Sequence, residues 1–241
     1  MLLTFIRNIN TFDVMDLFFL FVAYGAILLV CLPVHELAHG LTAYWCGDKT
    51  AKAYGRLSLN PFRHLDMWGT IMILTVGIGY AKPVPVNTFH LRHRKRDMIL
   101  VALAGPLSNL LMAVLSAAIF RVCSLFVTDA DLLFALWLLF VWVMVSVNIS
   151  LMVFNLLPIP PLDGSRLWSS LLPARWSYTL EQYSQYIAMG LMVLLFSGAL
   201  DVPLNFLHDT VGTGVGHLVG EPGLMDYNTV FTHWYLNLLL G

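Results

Sequence analysis

His35 and His39 stand four residues apart in "LPVHELAHGL", residues 32–41, directly behind eighteen uncharged residues, "LFFLFVAYGAILLVCLPV". On a helix that spacing puts both imidazoles on one face, where the pair can bind a single zinc ion. Glu36 lies between them in sequence but points to the side, placed to hold a metal-bound water rather than to ligate. The pattern is HExxH: two helical metal ligands and a general base. Ionisable groups inside a membrane segment are costly and mark functional sites. The plainer alternative is a His–Glu pair that satisfies only itself at a helix end.

A zinc ion in a catalytic site needs a third protein ligand and one position open to water. Two residues compete. Cys31 is one turn before His35, although a cysteine in an apolar helix also serves simply as a small hydrophobe. Asp163 lies in "FNLLPIPPLDGSRLW", residues 154–168, where three prolines break an apolar helix and Gly164 follows the acid. Asp163 is the better candidate, because a helix broken at membrane depth builds sites; its alternative is an ordinary helix cap. Asn155, two turns earlier, can donate a hydrogen bond into the same cavity.

The elements that must bring these groups together are apolar. Of 241 residues, 59% are hydrophobic and only 11% charged, against about 25% charged in an average soluble domain. The chain therefore reads as an all-α polytopic membrane protein, a single integral membrane domain over 1–241 with its core at about 14–175 and a fourth helix and tail over 183–241. Expected spans are 17–46, 98–120, 132–157 and, more weakly, 183–200. The first is longer than the hydrocarbon core requires, so it tilts, protrudes or kinks at Pro33. The 15-residue run "MWGTIMILTVGIGYA", 67–81, is too short to cross and suits a re-entrant or interfacial β-hairpin between the first two spans.

Charge distribution orients these spans. Lys49, Lys52, Arg56, Arg63, Lys82, Arg92, Arg94, Lys95 and Arg96 crowd the loop 47–97, whereas Asp201, Asp209, Glu221 and Asp226 make the C-terminal part acidic. Positive residues stay in the cytoplasm. Loops 47–97 and 158–182 then lie inside, both termini lie outside, and His35, His39 and Asp163 share the cytoplasmic side. The net charge of −1 gives no sign of nucleic acid. Cys31, Cys46 and Cys123 make no CxxC pair and imply no disulfide framework. The first apolar run, starting near Val14, reads as a retained anchor rather than a signal peptide. "FTHWYLNLLLG", 231–241, looks interfacial from its aromatics. No repeat or soluble second domain is visible.

"HELAHG", "AGPLSNLL" and "NLLPIPPLDG", in this order on three apolar spans, resemble the site-2 protease family of intramembrane zinc metalloproteases, in its compact form without PDZ or CBS domains. "GRLSLNPFRHLDMWGT" is similar to the family's segment between the first two core spans. The resemblance covers roughly residues 30–170. It implies that His35, His39 and Asp163 ligate one Zn2+ and that Glu36 is the general base. It also implies that Asn155 lies near the scissile carbonyl and that Asn109, the GPxxN asparagine, serves packing rather than catalysis.

The implied activity is hydrolysis of peptide bonds in or near transmembrane segments of membrane proteins. Zinc acidifies a water, and Glu36 takes its proton and passes it to the leaving amine. Asn155 helps hold the oxyanion. A substrate helix must unwind first, and an edge strand within 56–90 is expected to hold it by strand addition; the alternative is a simple membrane-lying lid. "LRHRKR", 91–96, is expected to anchor at anionic headgroups, with His90 and His93 solvated rather than ligating. The rival readings are a catalytically silent zinc-binding homologue, against which an intact Glu36 argues, and an ion-relay transporter, which would carry more spans and repeated halves. The compact form suggests a prokaryotic cell membrane.

Overall fold

The computed structural model describes residues 21–76, 81–125 and 132–225. The expected retained anchor before residue 21, most of the 121–131 loop and the aromatic stretch 231–241 lie outside them. In chain order the helices are α1 Phe21–Trp45, α2 Thr50–Ala53, α3 Met67–Val76, α4 Arg94–Ser124, α5 Leu132–Asn155, α6 Asp163–Leu171, α7 Ala174–Gln182, α8 Ser184–Ser197 and α9 Asp201–Val219.

Among the described residues, three helices are long and apolar enough to cross a membrane: α1, α4 and the Leu136–Asn155 part of α5. The expected fourth span corresponds to α8, which qualifies only together with α9, across a bend of 85°. The protein is thus an all-α polytopic membrane protein, with three candidate crossings among the described residues, or four if the bent pair is one. The expected β-hairpin is not seen among the described residues. Met67–Val76 is helical, residues 81–87 are extended without strand pairing, and residues 77–80 are not described. Helix α3 lies along α1, with Ile73 buried against Tyr24 and Leu28.

The anticipated irregularity at Pro33 appears one turn earlier. Proline has no N–H to return to the carbonyl four residues back. Residues Ile27–Cys31 widen into a π-turn in which the Leu32 N–H bonds to the Ile27 carbonyl. Such bulges relieve a broken α-ladder without breaking the helix. The HExxH segment then continues as regular helix to Trp45.

Helix α4 divides cleanly into two faces. Leu107, Leu111, Leu115 and Ile119 are exposed, a lipid-facing stripe at helical spacing. On the other side Val101, Gly105, Asn109, Ala113, Ala117 and Phe120 are buried. Lipid is as apolar as leucine, so helices associate through close packing of small residues rather than through a hydrophobic drive. Gly105, Ala113 and Ala117 let α1 and α5 approach α4. The main core, including Phe120, Val145, Ile149, Val215 and Leu224, sits between α4, α5 and α9.

The loop between α1 and α4 is held by two buried charged residues. The Asp48 carboxylate is fully buried. It accepts from the Thr50 N–H (2.9 Å) and hydroxyl (2.5 Å), and from the Asn87 N–H (2.7 Å). The guanidinium of Arg56 donates to the carbonyls of Arg63, Lys82 and Pro83. The Lys82 N–H in turn reaches the His64 carbonyl (2.8 Å). These bonds fix the extended strap 81–87 across the C-terminal half of α1. Arg56, one of the basic residues that crowd the loop 47–97, is buried.

Candidate active site

Helix α1 puts His35 and His39 on its buried face, and the remote Asp163 joins them. His35 Nε2 and His39 Nε2 each lie 3.0 Å from Asp163 Oδ2 and 3.0 Å from one another. The two imidazoles are 4% and 6% exposed. Asp163 is not the cap of α6. It is the first helical residue, and the capping position belongs to Leu162. Gly164 explains how the carboxylate reaches the histidines: a Cβ there would run into the carbonyls of Leu156 and Leu157. With glycine, the start of α6 tucks under the last turn of α5.

Burial pushes the Asp163 carboxyl up, but hydrogen bonding to His35 and His39 outweighs it. The group is held well below the usual carboxylate range. An ionised carboxylate and two ring nitrogens therefore converge in a nearly closed pocket. Among the described residues, these three form the only group of this kind.

The donor set fits zinc. His39 Nδ1 is 2.6 Å from the Val101 carbonyl. A carbonyl can only accept, so Nδ1 carries the proton and Nε2 presents a lone pair inward. The ligand–ligand edge of a tetrahedral site with bonds of about 2.0–2.1 Å is roughly 3.3 Å, so the observed triangle needs to open by only a few tenths of an ångström. One carboxylate and two imidazoles leave a fourth position for water, the pattern of catalytic rather than structural zinc.

Glu36 is half-buried beside this group, and its Oε2 accepts from the Val84 N–H at 2.8 Å. The strap thus touches the expected base directly. Cys31, the rival ligand, is fully buried and faces Asn148 Nδ2 at 3.3 Å, outside the cluster. Asn155 is the half-buried last residue of α5, and among the described residues its side chain makes no hydrogen bond. His90 points to Asp48 (3.4 Å). Two neighbours were missed as site residues: Gly105, whose missing side chain makes room for both imidazole rings, and Asn109, whose Nδ2 is 3.2 Å from His35 Nδ1. Both lie in "AGPLSNLL", which marks the segment but not what these two residues touch.

A buried His–His–Asp cluster with a flanking glutamate, contributed by the apolar helix α1 and the start of α6 and walled by α4, defines a membrane-embedded metal-dependent hydrolase of the HExxH type. The family description "Peptidase family M50" matches residues 23–130 and 121–198. "Putative zinc metalloprotease YwhC" of Bacillus subtilis is 39% identical over 175 residues, 69% of this chain and 77% of that protein. "Putative zinc metalloprotease Rip2" of Mycolicibacterium smegmatis is 31% identical over 189 residues, 76% of this chain and 69% of that protein. Its namesake in Mycobacterium tuberculosis is 32% identical over 188 residues, 75% and 69% respectively. No solved structure matches the chain. The chain belongs to peptidase family M50, the site-2 protease family. Enzyme class and cofactor follow: a zinc-dependent metalloendopeptidase of the membrane.

Proposed function

We propose that this enzyme hydrolyses peptide bonds in or beside the transmembrane segments of other membrane proteins, with His35, His39 and Asp163 holding the zinc and Glu36 as general base. The observation that carries the reading is the convergence of three ligand atoms, from chain segments more than a hundred residues apart, beside a glutamate that does not join them. When bound, zinc supplies a Lewis acid that acidifies water and polarises a carbonyl.

The chain's own residues do the rest. Glu36 is steadied through one oxygen by the Val84 N–H, leaving the other to take a proton from the attacking water and deliver it to the departing amine. Asn155, at the broken end of α5, donates to the carbonyl oxygen of the substrate. A substrate helix hides its carbonyls in its own hydrogen bonds and must unwind first. The extended strap 81–87, lying against Glu36, offers backbone for the unwound segment to pair with. In this reading the basic loop 47–97 faces the cytoplasm, the direction from which water enters, and the compact form suits a prokaryotic cell membrane.

The test uses the full chain in lipid with a membrane-spanning peptide. Glu36→Gln should retain zinc while cleavage falls by about 10²–10⁴-fold, the usual contribution of a general base. Unchanged cleavage in that variant would remove Glu36 from the reaction. Asp163→Ala should lose zinc by metal analysis; full occupancy would remove Asp163 from the ligand set.

A further inference from the structure

Both histidines are flanked from one side by a single face of α4. At steps of four residues that face presents the Val101 carbonyl, the bare backbone of Gly105 and the side chain of Asn109. Val101 holds Nδ1 of His39. Gly105 leaves room for both rings, since a Cβ there would overlap His39 Nε2 and stand 2.5 Å from His35 Cε1. That leaves Nδ1 of His35, and the group facing it is Asn109, fully buried, with Nδ2 at 3.2 Å and Oδ1 without a partner.

The two ring nitrogens of a neutral histidine are linked: one carries the proton and the other the lone pair. In the orientation seen, Asn109 donates to Nδ1, which leaves the proton on Nε2, directed at Asp163. A ligating Nε2 must be bare, so Nδ1 must then donate, and it needs an acceptor. A side-chain amide turned through 180° keeps its shape while exchanging donor for acceptor. The acceptor is thus already built in, as the orphaned Oδ1.

We propose that Asn109 is a positioning residue for the metal site: its amide, turned to present Oδ1, accepts from His35 Nδ1 and leaves Nε2 free to ligate, as the Val101 carbonyl does for His39. Outer partners of this kind orient metal-binding imidazoles and typically change metal affinity by about 10–100-fold when removed. This gives the asparagine of "AGPLSNLL" a task beyond packing. Leucine has the same branched outline and the same number of side-chain heavy atoms, and cannot accept. Aspartate accepts and cannot donate.

The inference rests on His35 being a ligand, so the experiment includes that residue. Zinc affinity of the purified full chain is measured by competition with a chelator, which requires no substrate, for wild type, His35→Ala, Asn109→Leu and Asn109→Asp. Melting of each protein without zinc reports folding. His35→Ala should lose zinc, Asn109→Leu should bind about 10–100-fold more weakly, and Asn109→Asp should bind at least as tightly as wild type. Wild-type affinity in Asn109→Leu would overturn the inference alone. Undiminished zinc in His35→Ala would overturn the ligand set and the inference with it. If Asn109→Leu fails to fold, Asn109→Asp decides: affinity at or above wild type supports an acceptor role, and a tenfold loss in a folded protein refutes it.

Discussion

Gly105 has no side chain, and the site depends on that. Any Cβ would collide with both imidazole rings at once, and neither ring can retreat, because each is fixed through Nδ1 on the same helix. Gly105→Ala should therefore spread the two Nε2 atoms. Zinc affinity should fall at least tenfold, with an overpacking cost of about 1–3 kcal/mol in stability, read by metal analysis and thermal melting. Native zinc content and an unshifted melt would show that the wall is softer than drawn. At this scale the sequence set apart the residues that the structure gathers, His35, His39 and Asp163 with Glu36 beside them, because ionisable groups are rare in apolar segments. Gly105 and Asn109 were not legible as site residues. A glycine's contribution is space for a neighbour, and an amide's is an orientation. Neither is visible until another helix is beside it.

Between residue and molecule, the strap 81–87 is the element whose role the linear sequence concealed. Lys82 in the strap, and the Arg56 that holds it, counted in the sequence only as two of the basic residues crowding the loop 47–97. The structure turns Arg56 inward as a clamp on the carbonyls of Arg63, Lys82 and Pro83, and the next N–H, that of Val84, holds Glu36. Counting charges cannot reveal which carbonyls lack a donor. Arg56→Met should leave those carbonyls unpaired, at about 1–3 kcal/mol for each one kept from water. Amide exchange at Lys82 and Val84 should quicken, and cleavage should fall while zinc stays bound. Unaltered exchange would mean that the strap is held by other contacts.

The same loop has a pH signature through Asp48. Burial pushes its carboxyl up, but bonds from Thr50, Asn87 and His90 outweigh this and hold it below the ordinary value. A depressed folded value gives stabilisation that is complete above the unfolded pKa of about 3.9 and fades as pH falls through the folded one. The gap in melting temperature between wild type and Asp48→Asn should still be open at about pH 5 and close below about pH 4. An equal gap at neutral and strongly acid pH would assign the effect to shape rather than charge.

For the whole molecule the open question is the last crossing. Three spans were legible because each is a long apolar run. The fourth was weak because its apolar residues are divided between α8 and α9, and the bend after Gly198 falls between them. Contacts along α9 give its direction. His208 meets Ser146 (3.2 Å) part-way along α5. Beyond the end of α9, the Leu224 carbonyl accepts from Trp142 Nε1 (3.2 Å), nearer the Leu132 end of α5. Glu221 pairs with Arg121 (2.7 Å), near the end of α4 farthest from the site. The chain therefore travels from the level of Asp163, through α8 and the bend, towards the face opposite the metal cluster. On that path α8 and α9 are expected to form one broken crossing, with residues 221–225 across the membrane from the strap. In a background with Cys46 and Cys123 replaced by serine, Lys52→Cys should be labelled by an impermeant thiol reagent only from the cytoplasmic side, and Pro222→Cys only from the other. Labelling of both from one side would mean that the bent pair turns back as a re-entrant loop, leaving three crossings.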